Sequence, residues 1–111
     1  MQRFAGLCCV VTIFWVAGLV YTHRSAAMAT RYTVAIHGVT FDPVALTAKV
    51  SETVVWVNKD PFPHTVTSQS GEFDSRDIAP GQSWSYTTTK TGVFPYLCTL
   101  HPTMRATLTV E

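Results

Sequence analysis

The sequence predicts an all-β domain, a Greek-key β-sandwich of about eight strands, preceded by an N-terminal apolar signal or anchor helix. Three observations support this fold class. Short segments of alternating apolar and polar residues recur from residue 30 onward. Turn-forming pairs such as Pro80-Gly81 and Thr91-Gly92 separate them. Outside the N-terminal segment, no stretch keeps the 3.6-residue period of an amphipathic helix. These features are typical of a sandwich.

The first part of the chain differs from the rest. Residues 4–21 are largely apolar, Arg3 precedes them, and small residues follow up to residue 29. This order is typical of a secretory signal peptide, with cleavage expected before Thr30. The apolar run also approaches the length of a membrane span, so a retained membrane anchor is the alternative. We therefore divide the chain into a signal peptide or anchor, residues 1–29, and a folded domain, residues 30–111.

Alternation within the folded domain predicts which side chains face the interior. Residues 53–57 are β-branched or aromatic throughout, which indicates a more deeply buried strand. Tyr96 is expected to have a structural role, similar to the tyrosine corner of Greek-key domains. The other residues expected to face inward are Tyr32, Val34, Ile36, Leu46, Ala48, Val50, Trp84, Tyr86, Ala106, Leu108 and Val110.

The composition limits the possible partners. The chain has 111 residues, enough for a single domain with one core. Charged residues make up only 14 %, against about 25 % in an average protein, and the formal net charge is +1. This leaves no basic surface for nucleic acid, so we expect no nucleic-acid partner. We also expect a monomer.

One short motif concentrates residues that bind metals. The stretch YLCTLHPTM, residues 96–104, places Cys98, His101 and Met104 three positions apart. A straight strand would point the first two to opposite faces, and Pro102 disfavours a helix. We therefore predict a tight loop between a strand that ends at Cys98 and one that begins near Met104. An unpaired thiol in an exported domain also needs protection, either by burial or by a metal.

The donor types in this motif select the metal. A thiolate and a thioether are soft ligands and imidazole is intermediate, a set that suits copper. A site of the blue-copper type also requires a second histidine. His64 is the best candidate, because it follows a proline-bracketed loop, whereas His23 lies in the N-terminal segment and His37 in a strand pattern that faces solvent. The sequence thus predicts one copper ion, with the metal ligands His64, Cys98, His101 and Met104.

At these residues the chain resembles the cupredoxins, most closely the amicyanin and plastocyanin group. The resemblance extends over nearly all of residues 32–111, with FDPVALTAKV, TVVWVNKDPFPHTVTS and YLCTLHPTM in the family's order. It implies a type 1 copper site with His64, Cys98 and His101 as equatorial ligands and Met104 as the axial one. Thr65 departs from the family pattern, which often has asparagine there to brace the two ligand loops. Its shorter hydroxyl is expected to brace less well.

A closed copper site predicts electron transfer rather than catalysis. Four protein ligands leave no open position for a substrate, so we expect a one-electron carrier and not an enzyme. The alternative is a periplasmic copper-binding or carrier protein without a dedicated role in electron transfer. An enzyme would need further histidine ligands, and His37 is the only spare histidine of the folded domain.

The resemblance also implies a route to redox partners. Electrons are expected to leave at His101, beside an apolar surface formed by Leu100, Pro102 and either Phe62 or Pro63. The family suggests an amine dehydrogenase as donor and a c-type cytochrome as acceptor. Export predicts a periplasmic location, with membrane attachment only if residues 4–21 are retained.

Overall fold

In the computed structural model, which describes residues 18, 20–22 and 30–111, the domain is a sandwich of two four-stranded sheets. The strands are β1 Arg31–Ile36, β2 Phe41–Asp42, β3 Ala45–Ala48, β4 Thr53–Asn58, β5 Thr67–Ser68, β6 Ser83–Thr87, β7 Gly92–Cys98 and β8 His101–Val110. One sheet has the order β2-β1-β4-β6 and the other β3-β8-β7-β5. The all-β class and the strand number are confirmed.

The N-terminal segment cannot be compared with its prediction, because nearly all of it lies outside the described residues. Among the residues that are described, no helix is long and apolar enough to cross a membrane.

The core lies between the inner faces of the two sheets. In the first sheet β1 pairs in parallel with β4, and β4 pairs antiparallel with β6, so that Val34, Trp56 and Trp84 lie side by side. No residue of β4 is exposed and alternate residues are fully buried, in agreement with the deeper burial that its β-branched run predicts. The core contains Val34, Ile36, Phe41, Ala48, Val54, Trp56, Val66, Phe73, Ile78, Phe94, Tyr96, Cys98, Met104, Ala106, Leu108 and Val110.

The predicted alternation fails where a strand ends or lies at a sheet edge. Val50 is 38 % exposed, because β3 ends at Ala48 and the chain turns over the next residues. Leu46 is only half-buried, since β3 is an edge strand. Trp84 and Tyr86 are half-buried for the same reason on β6. Alternation therefore identifies the side of the sheet correctly but not the depth of burial.

Tyr96 is buried, as a structural role requires, but it is not a tyrosine corner. Its hydroxyl accepts a hydrogen bond from the indole nitrogen of Trp56 at 3.2 Å, whereas a corner tyrosine bonds to the backbone. The bond joins the two sheets, because Trp56 lies on β4 and Tyr96 on β7.

The metal-binding motif forms a tighter hairpin than the sequence predicts. β7 ends at Cys98, as expected, but β8 begins at His101 rather than near Met104. Cys98 and His101 pair across a two-residue turn, and the register then shifts so that residues 102–104 have no partner on β7. The predicted loop was wrong because Pro102, which lacks an N–H group, fits a bulged strand where no ladder bond is needed.

Candidate metal centre

A buried asparagine fixes the loop that carries His64. Asn58, fully buried at the end of β4, donates hydrogen bonds to the carbonyls of Phe62 and Ile78, each at 2.9 Å. The side-chain oxygen of Asn58 accepts a hydrogen bond from the backbone N–H of Asp60 at 3.0 Å. The backbone N–H of His64 donates a hydrogen bond to the carbonyl of Ile78, and the N–H of Ile78 donates one to the carbonyl of His64 at 2.7 Å. The backbone around His64 is therefore held on both sides before any metal is considered.

The hairpin brings a thiol and a second imidazole to this loop. Cys98 is fully buried, and its Sγ lies 3.6 Å from Nδ1 of His64 and 3.8 Å from Nδ1 of His101. One donor atom from each of the three residues falls within 4.8 Å of the others. The structure thus gathers three of the four residues that the sequence selects from separate parts of the chain.

The distances between the sulfur atom and the two ring nitrogens allow all three to bind a single metal ion. Two ligands with metal bonds of about 2.0 and 2.3 Å, set about 120° apart in a trigonal plane, lie about 3.7 Å from each other. Both sulfur–nitrogen distances are close to this value. Met104 is 3 % exposed on β8, three residues after His101. His37 is exposed in the turn after β1 and is not part of the cluster.

A carboxylate fixes the orientation of the first imidazole. Nε2 of His64 lies 2.7 Å from Oδ2 of Asp60, and both side chains are buried. Asp60 also accepts the amides of Gly38 and Val39, at 2.7 and 2.9 Å. Burial by itself would raise the pKa of Asp60, but these hydrogen bonds outweigh it and hold that pKa below its ordinary value. The ionised carboxylate accepts a hydrogen bond from the N–H group at Nε2, so the ring proton stays on that nitrogen and Nδ1 presents its lone pair toward the thiol.

Sequence reasoning missed both Asn58 and Asp60. It treated the segment before His64 only as a proline-bracketed loop. A more specific signal was present, because a ligand histidine usually donates its second ring nitrogen to a carboxylate or carbonyl. A carboxylate four residues before His64, in a loop constrained by proline, was a reasonable candidate for that partner.

Thr65 connects the two ligand-bearing segments. Its amide donates to Sγ of Cys98 at 3.3 Å, and its hydroxyl accepts the amide of Thr99 at 2.9 Å. The same hydroxyl lies 3.1 Å from those of Thr67 and Thr99. A threonine hydroxyl is therefore long enough to span the gap between the loops.

An apolar surface borders the cluster, and we call Phe62, Leu100 and Pro102 the docking patch. The ring of Phe62 lies 5.2 Å from that of His64 and 5.6 Å from that of His101, measured between centroids. Phe62 is 37 % and Leu100 47 % exposed, and Pro102 is exposed as well. His101 is half-buried, so it is the ligand candidate that lies nearest to solvent.

A sequence model of the cupredoxin-like domain matches residues 8–110, nearly the whole chain. The chain belongs to the cupredoxin family. It is 33 % identical to the amicyanin of Paracoccus denitrificans over 76 residues, which covers 64 % of this chain and 58 % of that protein. It is 34 % identical to the plastocyanin of Scenedesmus fuscus over 84 residues, which covers 64 % of this chain and 86 % of the plastocyanin. The cupredoxin thus spans little more than half the length of the first of these relatives.

Solved structures show the same similarity. An oxidised amicyanin mutant superimposes with a TM-score of 0.68 at 30 % identity, covering 72 % of this cupredoxin and 81 % of that chain. A copper-containing nitrite reductase from Thermus scotoductus gives a TM-score of 0.72 at 27 % identity. That match covers 83 % of this chain but only 25 % of the reductase, so the likeness is to one part of a larger protein.

The protein family and the types of ligand atom in the cluster both indicate the same cofactor. The amicyanin structures similar to this cupredoxin include Cu(I) forms. A buried thiol beside two imidazoles supplies soft and intermediate ligands, which favour copper over magnesium, calcium or manganese. Copper is therefore the cofactor of this domain.

Replacing Asp60 tests the role of the carboxylate. We expect Asp60→Asn to weaken Cu(II) binding by about 10- to 100-fold, because His64 loses the partner that fixes its tautomer and ring orientation. Competition with a copper chelator would measure the change. The matched control is Asp42→Asn, which alters an exposed carboxylate on β2. Equal affinities for the two variants would show that Asp60 does not support the site.

Proposed function

We propose that this cupredoxin is an exported type 1 blue copper protein that carries single electrons between redox partners. The observation that carries the proposal is the closed cluster of His64, Cys98 and His101, with both Nδ1 atoms within 4 Å of one buried sulfur. Copper, when bound there, would supply one-electron chemistry by changing between Cu(I) and Cu(II). The likeness to amicyanins and to a plastocyanin supports the same role.

We assign the four ligands to His64, Cys98, His101 and Met104. His64 and Cys98 are each 0 % exposed, so a substrate could not reach a metal from their side. Met104 is also buried and would take the axial position. A site closed in this way favours an electron carrier over an enzyme, because it offers no open position for a reacting molecule.

The fold limits how far the ligands move when the metal changes charge. The hydrogen bonds of Asn58 and Asp60 fix the His64 loop, and those of Thr65 fix the position of Cys98 relative to it. Since none of these contacts depends on the metal, the protein holds the same geometry in both oxidation states. Small rearrangement on electron transfer is what a carrier needs.

We propose that electrons enter and leave through His101 at the docking patch. The half-buried ring of His101 lies among exposed apolar residues, and such a surface suits the small interfaces of transient redox complexes, below about 1,200 Å². An amine dehydrogenase as donor and a c-type cytochrome as acceptor are the specific partners that the likeness to amicyanin supports.

We further propose that the copper domain is exported and that it begins at residue 30. The apolar residues 4–21 and the small residues before Thr30 support secretion to the periplasm, and residues 30–111 would form the mature copper domain. If residues 4–21 are retained, they would anchor the same domain to a membrane.

Removing the thiolate tests the copper assignment. The full chain loaded with Cu(II) should show an intense visible band that bleaches reversibly on reduction, and Cys98→Ser should abolish the band because the sulfur ligand is lost. Far-ultraviolet circular dichroism should show that the variant keeps its β-sandwich. Cys9→Ser makes the same change in the N-terminal segment and should leave the band intact. A Cys98→Ser protein that stays coloured would refute the site.

Replacing Met104 tests the axial ligand. Met104→Gln should keep copper but lower the reduction potential, because an amide oxygen is a harder ligand than a thioether and favours Cu(II). Cyclic voltammetry of the two proteins measures the shift. An unchanged potential would exclude Met104 from the copper site.

A charge in the docking patch tests the exit route. Leu100→Glu should slow electron transfer to a c-type cytochrome without changing the visible spectrum, because an apolar contact is replaced by a hydrated carboxylate. Stopped-flow absorbance measures the rate. Val93→Glu is the control, since Val93 is 66 % exposed at the other end of β7. If both variants react at the wild-type rate, the partner binds elsewhere.

A further inference from the structure

Four aromatic rings cross the sandwich from the metal centre to the edge of a sheet, and we call them the aromatic chain. Tyr96 precedes Cys98 by two residues on β7, so both side chains face the interior. Its ring centroid lies 5.6 Å from that of Trp56, which lies 5.6 Å from that of Trp84. Trp84 stacks on Tyr86 with 6.3 Å between centroids and 12° between planes. The aromatic chain is buried at Tyr96 and Trp56 and half-exposed at Trp84 and Tyr86 on β6.

The inner end of the chain is tightly held. The indole nitrogen of Trp56 donates a hydrogen bond to the hydroxyl of Tyr96 at 3.2 Å. Phe73 lies against all four rings, with centroid distances from 4.8 to 6.4 Å, and fixes their relative positions.

The outer end of the chain has a proton acceptor. The hydroxyl of Tyr86 donates to Oε1 of Glu72 at 3.3 Å. Glu72 forms an ion pair with Lys90 at 3.0 Å, and this contact holds the pKa of the carboxyl below its ordinary value. A phenol releases its proton when it loses an electron. The ionised carboxylate beside Tyr86 can receive that proton.

Core packing alone does not require this arrangement. Phenylalanine or leucine would fill the same space without polar atoms. Instead, the positions between Cys98 and the edge of β6 hold two indoles and two phenols, the types of aromatic side chain that are oxidised most readily. The neighbouring Phe73 and Phe94 are harder to oxidise, so the easily oxidised rings form a single line.

We propose that the aromatic chain conducts electrons from the reduced copper centre to one-electron oxidants that reach the edge of β6. The inference rests on the proposed function, which supplies the reduced centre. An inorganic radical oxidant removes one electron from Tyr86, whose proton passes to Glu72. One electron from the centre then tunnels past Tyr96, which keeps its hydroxyl proton and is not itself oxidised, and passes through Trp56 and Trp84 to refill the vacancy on Tyr86, after which Glu72 returns the proton. The centre loses one electron, the oxidant gains one, and the side chains are restored.

Flash photolysis of the reduced, copper-loaded full chain tests this route, with photogenerated carbonate radical anion as the oxidant. In the wild type, the aromatic radical signal should decay as the visible Cu(II) band grows, at a rate independent of protein concentration. Trp84→Phe should lose this fast phase, because it removes an oxidisable ring from the half-exposed end of the chain. Tyr32→Phe is the control, since it removes a phenol from β1, outside the chain. A fast phase that survives in Trp84→Phe, or a wild-type rate proportional to protein concentration, would overturn the proposal.

A second readout does not depend on the copper spectrum. Peptide mass spectrometry after exposure to the oxidant should find more oxidised Trp84 and Tyr86 in the metal-free protein than in the reduced, copper-loaded one. Equal yields would contradict the repair of these residues by the metal centre. A wild type without a visible band would refute the proposed function itself, whereas a normal band without the fast phase would refute only the aromatic chain.

Discussion

The structure depends on the junction between the His64 loop and the hairpin of β7 and β8. Thr65 makes this junction with two groups, since its amide donates to Sγ of Cys98 and its hydroxyl accepts the amide of Thr99. These bonds join segments more than thirty residues apart in sequence. Cys98 and His101 already share one hairpin, and β5 pairs with β7 just beyond Thr65, so the bonds of Thr65 fix the imidazole of His64 relative to these two residues.

Asp60 extends this constraint to a second part of the fold. Its carboxylate binds the ring of His64 and also accepts hydrogen bonds from the amides of Gly38 and Val39 in the turn between β1 and β2. Val39 in that turn has φ of 58°, a left-handed conformation that a β-branched residue rarely adopts. The two hydrogen bonds to the carboxylate compensate for this unfavourable backbone, so the orientation of His64 and the shape of the turn are coupled.

Two separate surfaces lie close to residues of the metal centre, and we propose a route for electrons through each. The docking patch lies against the half-buried ring of His101 and is apolar. The aromatic chain starts beside Cys98 on the interior side and ends at the edge of β6, where Tyr86 donates a hydrogen bond to Glu72. The rings of the aromatic chain do not depend on the metal for their positions, because Trp56 and Tyr96 join the two sheets through a hydrogen bond and Phe73 packs against all four rings.

The sequence by itself determined the class of fold and the candidate ligands. Alternation is a local property, so it correctly predicted the inner faces of β1 and β8, and the donor types of His64, Cys98, His101 and Met104 indicated copper. Only the tertiary structure decided the depth of burial at the edge strands, the start of β8 at His101, and three long-range contacts: those of Asp60 with the turn after β1, of Thr65 with Cys98 and of Tyr96 with Trp56. The physical reason is separation along the chain: Asp60 bonds to a residue 22 positions away and Tyr96 to one 40 positions away. Such contacts arise when the sheets pack, and no local pattern in the sequence encodes them.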